Sequence, residues 1–351
     1  MIVQNSPKIC LVPKLSGLGG MVSFQRRLTE GLQSHGVEVS NDINDNSHEA
    51  VLVIGGTRHL YRLWQTNKKR IPIIQRLDGM NWLHRVQSSR LRHYLRAEYG
   101  NLILRIIRNQ LANEIVYQSC FVRDWWNRVY PIQDKPSTII YNGVDLGMYT
   151  PYGPEQRPQG HIRLLVVEGN VMGGYEWGLE NAIHLAILMS KRSRNAHSHI
   201  ELMIVGRVAQ ELQSRWNNYI KDFGELVSLT WSGVMPQDEI PGIDRTAHLL
   251  YSSDVNPACP NSVIEALACG VPVVAFDTGA LPELVAGDAG RVVPYGGDPW
   301  KLDQPDLSTL EAAACELLGE QERFRNAARE RAEDMFGLDR MVSSYLEVLL
   351  K

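Results

Sequence analysis

Along this chain, short continuous apolar runs alternate with segments whose apolar positions recur every three or four residues. Residues 8–13 (KICLVP) form such a run, the pattern of a strand covered on both faces. Residues 21–35 follow with Phe24, Leu28 and Leu32 at helical spacing, and Gly36 stops that helix. The next strand begins at 37–39. Further strands are expected at 50–54, 71–77, 114–118 and 137–141, with Arg- and Trp-rich helices between them. Residues 161–168, 200–205 and 272–276 repeat the strand pattern, and residues 338–350 have helical periodicity. This alternation predicts an α/β fold with parallel sheets wound on both faces. No repeat of solenoid period and no low-complexity tract interrupts it.

Residues 256–294, NPACPNSVIEALACGVPVVAFDTGALPELVAGDAGRVVP, are the densest part of the pattern. They predict a turn, a short helix, a strand, a second turn and helix, and another strand. Asn261 is expected as the helix N-cap, with Ser262 and Val263 opening the first turn and Val263, Ile264 and Leu267 forming the apolar face. Cys269-Gly270 ends the helix. Glu265 falls one turn in, where a carboxylate can point back over the mouth of a sheet. A helix N-terminus at the end of a parallel strand is a ready site for phosphate, because its free N–H groups converge there.

A length of 351 residues suggests two domains, and 44% hydrophobic with 21% charged residues excludes a disordered chain. The clearest linker is PYGPEQRP at 151–158. Net charge is −3, so nothing global points to nucleic acid. Residues 58–108 are locally basic, with Asp78 and Glu98 as the acids, and Trp82, Leu83 and Val86 lie beside Arg85, Arg90 and Arg92. Two readings stay open: a solvated helical face, or a surface for an anionic acceptor or a membrane carrying one. Five cysteines without a CxxC pair argue against a disulfide framework or a structural zinc site, and no metal site is expected. The N-terminal segment lacks the basic and long apolar character of a signal peptide, and no stretch is long enough to span a bilayer. The expected setting is a reducing cytoplasm.

Between the first strand and helix lies Ser16-Gly17-Leu18-Gly19-Gly20, small enough for backbone to approach a ligand. A plain tight turn is the alternative, and Gly17-x-Gly19 also starts a dinucleotide-binding loop. That fingerprint wants a third glycine near Val22, which is absent, although Asp42 is roughly placed for its acid. At the end of the 71–77 strand, Arg76 and Asp78 lie two residues apart on one side. They form either a structural ion pair or a pair facing a ligand.

Glu265 within EALACGVPVV, the Gly279-Ala280 turn and Pro282-Glu283-Leu284 closely resemble the donor-sugar motif of the family 4, or group 1, nucleotide-sugar glycosyltransferases. Tyr141-Asn142-Gly143-Val144-Asp145 is similar to the turn that closes that family's first domain. The resemblance implies a GT-B fold: an acceptor-side Rossmann-like domain at 1–150, a nucleotide-sugar-binding one at 151–335, a helix at 336–351 crossing back to the first domain, and an active site in the interdomain cleft. It implies retention of anomeric configuration without metal or cofactor, the nucleotide sugar being a co-substrate and the acceptor a glycan or a lipid-linked group. Gly19-Gly20 would face the donor diphosphate. Asp78-Gly79 stands where many relatives have His-Gly, and Asp78 with Arg76 takes the catalytic role. Glu265 would bind the ribose hydroxyls, beside Asn261, Ser262 and Val263 at the helix start. The turn at 232–236, with Val234, would read the base.

Three positions depart from the family pattern. Pro257 replaces the first motif Glu, which leaves Asn256 or the backbone of the 258–261 turn to read the sugar. Asn170 replaces an Arg, and Tyr175 or Trp177 falls near a Lys, the two cations that neutralise the leaving diphosphate. Gly173-Gly174 offers an anion nest instead, and Arg207 is the substitute cation, with Lys14 a weaker one. The expected function is hexose transfer to a cell-envelope polysaccharide, lipid or similar acceptor, with peripheral membrane contact through 58–108. A degenerate partner subunit of an active transferase and a nucleotide-sugar 2-epimerase are the alternatives. The epimerase needs proton-transfer groups at the cleft, and the cleft loops supply no His.

Overall fold

The computed structural model describes residues 6–17, 19–87, 90–132, 134–171, 176–192 and 199–351. They fall into two units, Met1–Gly143 with Gly337–Lys351, and Val144–Phe336. In the first, strands β1 (Lys8–Val12), β2 (Glu38–Ser40), β3 (Ala50–Ile54), β4 (Ile73–Leu77), β5 (Glu114–Tyr117) and β6 (Ser137–Ile139) pair in parallel in the order β2-β1-β3-β4-β5-β6. Helices α1 (Gly20–Ser34), α2 (Leu60–Lys68), α3 (Leu91–Ile106) and α4 (Cys120–Val129) connect them.

Every residue of β3 and β4 is buried, which explains why these strands read as unbroken apolar or sealed polar runs. The C-terminal helix (Leu338–Leu349) belongs to this unit and packs Met341, Val342 and Tyr345 into the same core as Phe24, Leu28 and Leu32 of α1. Gly31 permits the approach, since a Cβ there would lie 2.3 Å from Val342 Cγ2.

The second unit repeats the plan with strands β7 (Ile162–Asn170), β8 (Ile200–Arg207), β9 (Val227–Gly233), β10 (Leu249–Tyr251), β11 (Val273–Phe276) and β12 (Gly290–Val293), all parallel, in the order β12-β11-β10-β7-β8-β9. Its helices are α5 (Glu176–Arg192), α6 (Gln210–Ile220), α7 (Ile240–Thr246), α8 (Asn261–Ala268), α9 (Leu281–Leu284), α10 (Leu307–Gly319) and α11 (Gln321–Met335). Leu164, Val166, Ile183, Leu202 and Val274 anchor the core between sheet and helices. Both units are Rossmann-like α/β domains. No helix among the described residues is long and apolar enough to cross a membrane.

Local boundaries differ from the pattern in instructive ways. α1 starts at Gly20 because Gly19 takes φ 127°, a backbone that side chains resist. Asn261 is not the cap of α8. Pro260 holds the extended backbone before the helix (φ −69°, ψ 122°), and Asn261 is the first helical residue. β7 and β8 run two residues beyond their apolar runs, past a register shift, so that Asn170 and Arg207 pair at the strand ends.

Candidate functional site

In doubly wound sheets, ligands gather outside the C-terminal ends of strands where strand order reverses. In the first unit, that edge carries the turn before α1 and the ends of β3, β4 and β5. Gly19 and Gly20 lie at the N-terminus of α1, whose first bonds run from the Val22 and Ser23 amides to the Gly19 carbonyl at 3.1 Å.

Beside this edge, Arg76 and Asp78 form one network. Arg76 Nη1 donates to Asp78 Oδ1 at 2.8 Å and Nη2 donates to Asn142 Oδ1 at 2.9 Å. Gln118 Nε2 donates to the same Asp78 oxygen, and the indole of Trp126 donates to the Asp78 carbonyl at 2.8 Å. Arg76 is only 1% exposed, its guanidinium 3.7 Å from the Phe24 ring centre. It is therefore sealed from solvent, whereas Asp78 is partly exposed. Burial pushes the Asp78 carboxyl up from its ordinary range, while Arg76 and Gln118 oppose the shift.

In the second unit, strand order reverses between β7 and β10. Asn170 and Arg207 are exposed at the ends of β7 and β8, with the Val171 amide bonded to the Arg207 carbonyl at 2.9 Å. Val234 is exposed just beyond β9, the edge strand. Ser262 and Asn261 are half-buried at the start of α8, Val263 is fully buried, and Glu265 is 7% exposed within the helix. Gly173 and Gly174, with Tyr175, lie outside the described residues.

Pro257, where the family motif has Glu, is locked into the turn it faces. The Ala280 amide donates to its carbonyl at 2.8 Å, and a Cβ on Gly279 (φ 60°) would lie 2.4 Å from its nitrogen. Asn256 before it has φ 55° and is 6% exposed, and its side-chain nitrogen has no hydrogen-bond partner.

Two acids that the pattern did not single out stand at the same edge. Glu168 near the end of β7 accepts from the Ser253 hydroxyl at 2.9 Å, and Asp254 follows Ser253 in the loop after β10. Burial raises both carboxyls, and the charge of Asp254 raises Glu168 further. The available signal was an acid closing an otherwise apolar strand, LLVVE. Its partner lies 86 positions away and only strand pairing brings the two together.

These arrangements offer a helix N-terminus, an exposed arginine and carboxylates at a parallel-sheet edge, chemistry suited to a phosphate beside a polyhydroxylated group. A family model described as "Glycosyl transferases group 1" matches residues 170–318. The chain is 26% identical over 253 residues to the alpha-maltose-1-phosphate synthase of Mycobacterium tuberculosis, covering 68% of this chain and 63% of that protein. The chain thus spans less than two thirds of that curated relative's length. Among solved structures, sucrose-phosphate synthase from Thermosynechococcus elongatus superposes with a TM-score of 0.71 at 13% identity, covering 98% of each chain. Anabaena Alr3699/HepE, solved in complex with UDP and glucose, superposes with a TM-score of 0.69 at 15% identity, covering 98% of this chain and 99% of that one. The fold shared with these structures is GT-B.

Proposed function

We propose that this chain, whose residues 170–318 make a group 1 glycosyl transferase domain, moves a hexose from a nucleotide-diphosphate sugar to a glycan or lipid-linked acceptor. Transfer retains anomeric configuration and uses no metal ion. The observation that carries the reading is the 256–294 segment inside the matched region, with α8 and its Glu265 following strand β10 of a parallel sheet.

As the bond to the leaving phosphate breaks, negative charge grows on the diphosphate and positive charge on the anomeric carbon. Donors and cations set in advance where that negative charge forms lower the barrier. Arg207 and the α8 N-terminus with Asn261, Ser262 and Val263 would take that role, with Gly19-Gly20, Asn170 and Gly173-Gly174 lending backbone groups. Glu265 would accept from the two ribose hydroxyls, and the backbone at Val234 would read the base. Asp78, oriented by Arg76, would meet the transferred sugar. A departing phosphate oxygen takes the acceptor's proton. UDP and glucose bound to the Anabaena relative support this class of donor.

The test is a thermal-shift panel of UDP-, GDP-, ADP- and dTDP-sugars, followed by turnover of the donor that binds. An α-linked product from an α-linked donor, formed undiminished in EDTA, is expected. Inversion would refute the stereochemistry, loss of rate in EDTA the metal independence, and binding without any turnover the activity.

The acceptor is read as membrane-borne, the enzyme working at the cytoplasmic face. On α3, Leu91, Leu95 and Leu102 are exposed along one side, beside exposed Arg92 and Arg96. Tyr61 and Trp64 of α2 are exposed as well. Apolar and cationic side chains so mixed favour an anionic lipid surface. Co-sedimentation with vesicles rich in anionic lipid, lost in Leu91→Ser/Leu95→Ser, checks it; equal pelleting with zwitterionic vesicles would count against it.

A further inference from the structure

Arg76, Asp78, Gln118 and Asn142 close a ring of hydrogen bonds at the ends of β4, β5 and β6. Arg76 Nη1 donates to Asp78 Oδ1 at 2.8 Å, and Gln118 Nε2 donates to the same oxygen. Asn142 joins the two donors. Its Oδ1 accepts from Arg76 Nη2 at 2.9 Å, and its Nδ2 donates to Gln118 Oε1 at 3.4 Å. Both amide side chains are buried.

The ring has one possible direction. A guanidinium only donates, so the Asn142 oxygen must face Arg76 and its NH2 must face Gln118. Gln118 then turns its oxygen to Asn142 and its own NH2 to Asp78. Both paths from Arg76 therefore end as donors on one carboxylate oxygen, Oδ1. A proton on Asp78 has no place there and can sit only on Oδ2. Among the described residues Oδ2 takes no hydrogen bond, and the Asp78 side chain is 27% exposed. Two donors reaching Oδ1 from β4 and from the end of β5 fix the rotation of the carboxylate about Cβ–Cγ, and with it the place of Oδ2.

We propose that Gln118 is a positioning residue for Asp78: held by Asn142, it pins Oδ1 and leaves Oδ2 as the acceptor for a hydroxyl of the transferred sugar. This rests on the reading of Asp78 given above. The groups that meet Asp78 are Arg76 of β4, Gln118 beyond β5 and the Trp126 indole of α4, which donates to the Asp78 carbonyl at 2.8 Å. Arg76 is the charged one among them. Removing the Gln118 donor frees the carboxylate to turn. It also withdraws support from the ionised form, so Asp78 then holds its proton to higher pH.

The experiment measures kcat and KM with UDP-, GDP-, ADP- and dTDP-glucose from pH 5 to 9 for the wild-type chain, Gln118→Met, Asp78→Asn and the double variant. Methionine matches glutamine in length and cannot donate. Gln118→Asn, which withdraws the amide by one methylene, replaces it if Gln118→Met does not fold. Affinity for the free nucleotide is expected to stay within twofold, because Asp78 meets the sugar and not the nucleotide. In Gln118→Met, kcat should fall at least tenfold and the acid limb of its pH profile should move to higher pH. Adding Gln118→Met to Asp78→Asn should then cost less than twofold, since the carboxylate it positions is gone. Unchanged kcat in Gln118→Met, an equal loss in both backgrounds, or an unmoved acid limb would overturn the role of Gln118 and leave the site standing. Full kcat in Asp78→Asn, or turnover of none of the four donors by the wild-type chain, would overturn the reading of Asp78 and the role of Gln118 with it.

Discussion

The Ser253 hydroxyl donates to the Glu168 carboxylate at 2.9 Å, tying the loop after β10 to the end of β7 where the strand order of the second sheet reverses. Asp254 adds a second carboxyl to the same place, and burial raises both above their ordinary values. Each is neutral in the folded chain over a range where the unfolded chain has already lost the proton. Their contribution to stability is therefore complete below about pH 4 and is lost as pH rises through the folded values. Glu168→Gln keeps the bond from Ser253 and removes the titration. Its melting temperature should match wild type near pH 4 and exceed it above neutrality, by a difference on the order of 1 kcal/mol after allowing for partial exposure. A pH-independent difference in thermal unfolding would refute it.

A nucleotide sugar held at a hundred times its dissociation constant should stabilise the chain by ~2.7 kcal/mol. Glu265→Ala should remove most of that shift, because the hydroxyl pair loses its charged acceptor. An undiminished shift in differential scanning fluorimetry would move the donor site away from α8.

Arg76 is a sealed cation whose carboxylate partner, among the described residues, is Asp78. Breaking such a pair from either side strands a charge, so Arg76→Met and Asp78→Asn should each cost ~3–5 kcal/mol. The double variant should cost clearly less than their sum, with a coupling energy above ~1 kcal/mol in guanidinium denaturation. Additive losses would mean that the two side chains act independently. At temperatures where it stays folded, Asp78→Asn should also lower kcat.

Gly31 of α1 faces Val342 of the C-terminal helix with no room for a methyl group. Gly31→Ala should destabilise by ~1–3 kcal/mol through overpacking, despite alanine's better helix propensity. Adding Val342→Ala should recover part of the loss. If Gly31→Ala alone raises the denaturation midpoint, the helices do not meet as described.

By itself, the sequence determined what depends on neighbours in the chain. The apolar runs at 50–54 and 273–276 are strands because β-branched residues packed on both faces have no other use, and Gly36 and Gly270 end their helices with positive φ. The EALACGVPVV run marked the matched domain in the same way, since a motif is a local string. Tertiary structure alone decided which distant side chains meet. Periodicity makes residues 338–349 helical, yet only the fit of Gly31 against Val342 shows where they pack. No spacing rule sets Glu168 beside Ser253 or buries Arg76 on Phe24. Those meetings come from strand order and helix packing, and burial then changes what each charged group does.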